Sequence, residues 1–126
     1  RVQAEEELFH ATKMFDYANE RGGRVLLKAI EAPQTEWENI VEVLEDVYSH
    51  EQKVTALINN LVTLSREEKD YATENFLQWY VAAQVEEEDS VSQLLNEVRF
   101  VDGKGSGLFM LNREAGQRVF TPSTKA

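Results

Sequence analysis

Two long stretches of this chain carry apolar residues at alternating steps of four and three, with only a few residues between them. That pattern demands two helices packed as antiparallel neighbours. The first seam reads Ile40, Leu44, Val47, Glu51, Val54, Ile58, Leu61, and the second reads Leu77, Tyr80, Gln84, Glu87, Val91, Leu94. Each seam is interrupted at its middle by groups that a hydrocarbon core rejects. Counted outward from the turn near Arg66, Glu51 and the Gln84–Glu87 pair fall at similar depth, since a helix rises about 1.5 Å per residue.

A third helical stretch precedes these two. Ala4, Leu8, Ala11, Phe15 and Ala18 form an apolar stripe at helical spacing. Beside it runs a second line, Gln3, Glu7, His10, Met14 and Tyr17, and Gly22-Gly23 stops the helix. Arg1 falls inside the helical pattern with no capping residue ahead, so further sequence is expected upstream. The predicted helices are residues 1–21, 36–65, 67–100 and 108–115, in a single domain spanning 1–126. Thr35 before Glu36-Trp37-Glu38 is the predicted cap of the second helix.

The connection over residues 24–35 could extend to about 40 Å, the length of a helix, which would leave the first two helices parallel. Its Val25, Leu26, Leu27 and Ile30 are expected to lie against the body of the protein. Asp102 to Gly107 is expected to be a flexible linker, and a polar tail begins at Thr121.

Composition narrows the function. A hydrophobic content of 42% is that of an ordinary globular chain, which argues against disorder. A net charge of −10 repels a nucleic-acid backbone and suits cations, although acidity serves solubility in many proteins. Without cysteine there is no disulfide, thiolate metal site or cysteine nucleophile. No apolar run is long enough to span a bilayer and no signal peptide is visible, which points to a soluble, cytoplasmic protein.

Chemistry concentrates where charge meets the seams. Glu7 and His10 are three residues apart, so a carboxylate and an imidazole project from one helix face, a pairing that binds iron inside helical bundles. A lone carboxylate in a core costs several kcal/mol unless it is paired, protonated or metal-bound. No Lys or Arg shares these seams, because Lys13, Lys53 and Arg66 point elsewhere by helical phase. If Glu7, Glu51 and Glu87 converge with His10 and Gln84, a divalent ion relieves their repulsion; oxygen donors with one imidazole suit iron, manganese or zinc.

Each residue has a plainer reading. Glu7 and His10 also read as a partly exposed pair, Glu51 as snorkelling or paired with His50, and Gln84 and Glu87 as part of the solvated run Glu86-Glu87-Glu88-Asp89. Trp79 and Tyr80 read as core aromatics and His50 as surface. The shared depth across three helices favours the joint metal site over these separate readings.

Several segments resemble the non-haem ferritins of bacteria and archaea. They are Glu5-Glu6-Glu7-Leu8-Phe9-His10, the run from Phe15 to Val25, His50-Glu51-Gln52, and above all Asn75 to Glu88. The resemblance implies an all-α, ferritin-like four-helix bundle subunit with helix one absent, so that three long helices and a short C-terminal one remain. It implies assembly with itself into a hollow cage of twenty-four copies. It also implies oxidation of Fe(II) by oxygen or peroxide at a dinuclear non-haem iron centre, with the ferric product stored as mineral.

By position, Glu7 resembles the bridging carboxylate, His10 the imidazole on the first iron and Glu51 the ligand of the second. Gln84 and Glu87 resemble residues that complete or flank the pair, and Glu6 and Glu86 resemble contributors to a third iron site. Three departures matter. The family's opening helix and the start of its second are absent, which implies an incomplete dinuclear site. Ala83 stands where relatives often carry glutamate, which implies a weak third site. Ser90 and Leu8 stand where the bacterioferritin branch has a second histidine and a haem-ligating methionine, so no haem is expected.

Two other functions compete. A non-catalytic helical assembly or interaction module would use the acidic seams only to hold stray divalent cations or a partner helix. A di-iron oxidase of organic substrates needs a pocket that nothing in the sequence indicates.

Overall fold

A computed structural model describes residues 1–101 and 105–119. These contain four helices, α1 (Val2–Glu20), α2 (Ile40–Glu67), α3 (Tyr71–Phe100) and α4 (Gly105–Ala115), and no strand. They fall into two compact units, one comprising Arg1–Thr35 with the described residues from Arg113 on, the other Glu36–Asn112.

In the second unit, α2 and α3 are joined by the short turn Glu68-Lys69-Asp70 and pack side by side. The turn follows from local chemistry. The Asp70 amide donates to the Ser65 carbonyl at 2.8 Å and the Lys69 amide to Arg66 at 3.0 Å, closing the end of α2. Lys69 takes the left-handed conformation that this closure needs, with φ 57°. Asp70 then caps α3, accepting from the Thr73 amide at 3.1 Å and the Thr73 hydroxyl at 2.6 Å. Arg66 ties the two ends together through a 2.6 Å bond from Nε to Glu74.

The α2 start lies four residues beyond the predicted position. Asn39, not Thr35, is the cap, accepting from the Glu42 amide at 2.9 Å, while the Glu42 carboxylate accepts from the Glu38 amide at 2.7 Å. The Trp37 indole donates to Asp46 at 2.6 Å, which pins the segment ahead of the helix to the helix side.

Leu44, Ile58 and Val62 of α2 and Leu77, Tyr80, Leu95 and Val98 of α3 form the apolar core of this unit. At one end Leu44, Leu95 and Val98 cluster with Val41, Leu94, Leu108 and Leu111, so α4 begins by closing that end. Val47 and Leu61, read as seam residues, are exposed, and Val62 takes the buried place. A straight helix drifts away from a strict alternation of four and three, which moves the buried stripe by one residue over several turns.

The predicted linker is partly helix. Gly105, Ser106 and Gly107 open α4, and at Gly107 a side chain would meet the Val101 side chain at 2.8 Å. Asp102, Gly103, Lys104 and the tail from Thr121 lie outside the described residues.

In the first unit, α1 ends as expected at the glycine pair. Gly22 adopts φ 76°, and the Gly22 and Gly23 amides donate to Asn19 at 2.9 Å and Ala18 at 2.8 Å. Its apolar stripe is mostly exposed, with Leu8 at 68%, Phe15 also exposed and Ala18 half-sheltered. Gln3, His10, Met14 and Tyr17 of the second line are half-sheltered. Leu26, Leu27 and Ile30 are likewise exposed rather than tucked in, Ile30 at 95%. Apolar content alone does not bury an extended segment, since folded surfaces carry much apolar area.

Candidate metal centre

The site residues arise from two local arrangements. In α1, Glu7 and His10 share one face, and the carboxylate Oε2 lies 3.7 Å from the imidazole Nδ1. One turn earlier, Gln3 donates its amide to the other oxygen of Glu7 at 2.9 Å. Glu7 is half-exposed and His10 is largely sheltered, with side-chain exposures of 52% and 18%. The Phe9 ring stands edge-on to His10 with centroids 6.4 Å apart. Glu6 projects to a different side of α1, where Arg118 donates from Nη2 to its two carboxylate oxygens at 3.1 and 3.3 Å. Lys13 is partly desolvated, which lowers its ammonium pKa from the ordinary value.

The second arrangement spans α2 and α3. Glu51 and Gln84 are buried, each at 6% exposure, at the depth where the two seams lose their hydrocarbon. Gln84 Nε2 lies 3.2 Å from the Glu51 carboxylate Oε2, from the Glu51 backbone carbonyl and from the Thr55 hydroxyl. Thr55 in turn lies 3.0 Å from the Glu51 carbonyl and 3.1 Å from Glu88 Oε1. Glu87 is half-buried on α3, one turn after Gln84, whereas Glu86 faces solvent and Ala83 is half-buried. His50 is exposed, as its helical phase requires.

Glu51 is the unusual member. Among the described residues its carboxylate pairs with no Lys, Arg or His, and its side-chain hydrogen bond comes from the neutral amide of Gln84. A buried anion compensated only by a neutral donor is costly. Elsewhere on the unit acids take arginine partners: Glu74 pairs with Arg66 and Glu45 with Arg99, both at 2.6 Å. Glu51 has no such partner among the described residues.

Thr55 and Glu88 were not foreseen. Their signal was present in the spacing, since Thr55 lies four residues after Glu51 and Glu88 four after Gln84, each on the same helix face. Tyr80, one turn before Gln84, is 4% exposed, and burial pushes its phenol up to about 12. The Trp79 ring stands edge-on to it with centroids 4.9 Å apart.

Within its own unit each arrangement offers donors of the same kind, a carboxylate with an imidazole at Glu7 and His10 and carboxylates at Glu51 and Glu87, the hard-oxygen and imidazole chemistry that suits iron, manganese or zinc. A family profile described as a ferritin-like domain matches residues 1–101. A probable bacterial non-heme ferritin-like protein of Haemophilus influenzae is 45% identical over 125 residues, covering 99% of this chain and 73% of that protein. A bacterial non-heme ferritin of Staphylococcus aureus is 37% identical over 118 residues, covering 94% of this chain and 71% of its own length. Among solved structures, an Archaeoglobus fulgidus ferritin engineered into a closed form superposes with a TM-score of 0.93 at 50% identity, covering 96% of this chain and 74% of that one. The open-pore ferritin of the same archaeon gives 0.93 at 49% identity, covering 94% and 74%.

Proposed function

The chain belongs to the ferritin family, and on that premise we propose that it oxidises Fe(II) to Fe(III) and stores the ferric product as mineral within a cage built from copies of itself. The observation that carries this reading is Glu51, a carboxylate buried at 6% exposure with an amide but no cation beside it. Iron is here substrate and cargo.

In this reading Glu7, His10, Glu51 and Glu87 hold two Fe(II) ions, and Gln84 flanks them. Glu7 bridges, His10 supplies the imidazole to the first ion and Glu51 binds the second. Carboxylates are hard donors that favour Fe(III) over Fe(II), so this ligand set lowers the barrier to losing an electron. Two ferrous ions held together deliver two electrons to one oxygen molecule, which takes up two protons and leaves as hydrogen peroxide; one-electron products are avoided. Peroxide serves as an alternative two-electron acceptor. Gln3 steadies Glu7 through its 2.9 Å hydrogen bond, and Gln84 steadies Glu51, so the oxygens are presented before iron arrives. Glu6 and Glu86 contribute to a third, weaker iron site, and haem has no part. The protein works in the cytoplasm.

Anaerobic titration with Fe(II), then exposure to air with ferric absorbance recorded, tests the proposal. Rapid oxidation at about two irons per chain is expected of a di-iron carboxylate centre. Failure to bind Fe(II) would leave a helical assembly module as the better description.

A further inference from the structure

Thr55 joins every other member of the buried network, Glu51, Gln84 and Glu88, yet its own place is not explained by ligation. Its hydroxyl lies 3.2 Å from the Gln84 amide nitrogen, 3.0 Å from the Glu51 carbonyl and 3.1 Å from Glu88 Oε1. A hydroxyl has one hydrogen to give and two lone pairs to accept with. Thr55 can therefore accept from Gln84 while giving its hydrogen either to the Glu51 carbonyl or to Glu88.

Gln84 is oversupplied. Its amide nitrogen has two hydrogens and three acceptors at 3.2 Å, namely the Glu51 carboxylate, the Glu51 carbonyl and Thr55. The surplus matters when the carboxylate turns toward a cation. Without a replacement acceptor a buried N–H would be orphaned, which biases an equilibrium roughly 5- to 150-fold against the step that orphans it. With Thr55 in place both hydrogens keep partners, one on the Glu51 carbonyl and one on the hydroxyl. The Thr55 hydrogen then passes to Glu88.

We propose that Thr55 is the positioning residue of the metal site, a standby acceptor that frees the Glu51 carboxylate from Gln84 to bind a divalent cation. This rests on the reading of Glu51 as an iron ligand.

The test is calorimetric titration of the metal-free assembled protein with Zn(II), which binds without redox chemistry. Thr55→Val, which removes the hydroxyl and keeps the shape, should weaken the Glu51-dependent binding roughly tenfold. Thr55→Ser restores the hydroxyl and should return affinity to within about twofold of the parent. The metal-free melting temperature should barely differ between the two variants, because Gln84 keeps the Glu51 oxygens while no metal is bound. Thr55→Ala repeats the comparison should the valine fail to fold. Parental affinity in the variants without hydroxyl, or equal weakening by serine and valine, would overturn the proposal. Glu51→Gln is the separate control: unchanged Zn(II) binding there would show that Glu51 is no ligand, so that the underlying reading had failed.

Discussion

Gln84 reaches from α3 to Glu51 on α2 and donates to both its carboxylate and its backbone carbonyl, each at 3.2 Å, inside an otherwise apolar helix pair. An amide can hold a carboxylate in place but cannot neutralise it. The pair therefore keeps an anion oriented and uncompensated, a state that disfavours folding and favours capture of a cation.

The metal-free fold should accordingly improve when the anion is removed. Glu51→Leu replaces a buried charge by hydrocarbon in a seam already lined by Leu44, Ile58 and Leu77, while Gln84 retains the Glu51 carbonyl and Thr55 as acceptors. Denaturant unfolding at fixed protein concentration should show a gain of about 1–3 kcal/mol. The same variant should lose iron oxidation. A destabilised variant that still oxidises iron would show that Glu51 serves the fold and not the metal.

His10→Ala isolates the other half of the donor set. The imidazole is sheltered but belongs to α1, a helix with no fully buried residue, so helix content by circular dichroism should be nearly unchanged. Ferrous oxidation should fall by at least the roughly 10–100-fold that loss of even an outer partner of a metal ligand costs. Oxidation at the parental rate would place His10 outside the centre.

The α2–α3 hairpin and the burial of Glu51 and Gln84 were legible because two long seams with a short connection leave one way to pack. On α1 the apolar stripe and the line of His10 and Met14 share one helical spacing, which by itself does not say which is sheltered; Leu8 and Phe15 are the exposed pair. The start of α2 was misread because Glu36-Trp37-Glu38 imitates an acidic first turn, whereas the Trp37 indole is anchored on Asp46 and the cap falls at Asn39. Thr55 was missed because its place four residues after Glu51 gains meaning only once Gln84 and Glu88 are found across the helix pair.

Ala83→Glu tests the third site. The substitution adds a carboxylate to α3 beside Gln84, and anaerobic titration should reveal an additional weak class of bound Fe(II). Glu6 holds Arg118 at 3.1 Å, so adding Arg118→Gln should strengthen that class further, by the few-fold worth of a partly exposed ion pair. Binding indifferent to both changes would mean that no third site is built.

Tyr80 gives the fold a marker in alkali. Its ring is enclosed by Trp79 and Phe76, the latter with centroids 5.5 Å away, and burial raises the phenol from 10.0 to about 12. In the folded chain it stays neutral to about pH 12, whereas in the unfolded chain it ionises from pH 10 upward. Across that window the unfolded state holds fewer protons, so stability falls as pH rises; below it, this group contributes no slope. Lys13 acts with the opposite sign, because its lowered pKa makes the folded state shed a proton first, and it cannot imitate the effect. Melting temperatures measured from pH 9 to 12 should therefore drop steeply from about pH 10 in the parent, and Tyr80→Phe should flatten the drop. Parallel curves for the two proteins would mean that the phenol is open to solvent and that the aromatic packing beside Gln84 is looser than the structure shows.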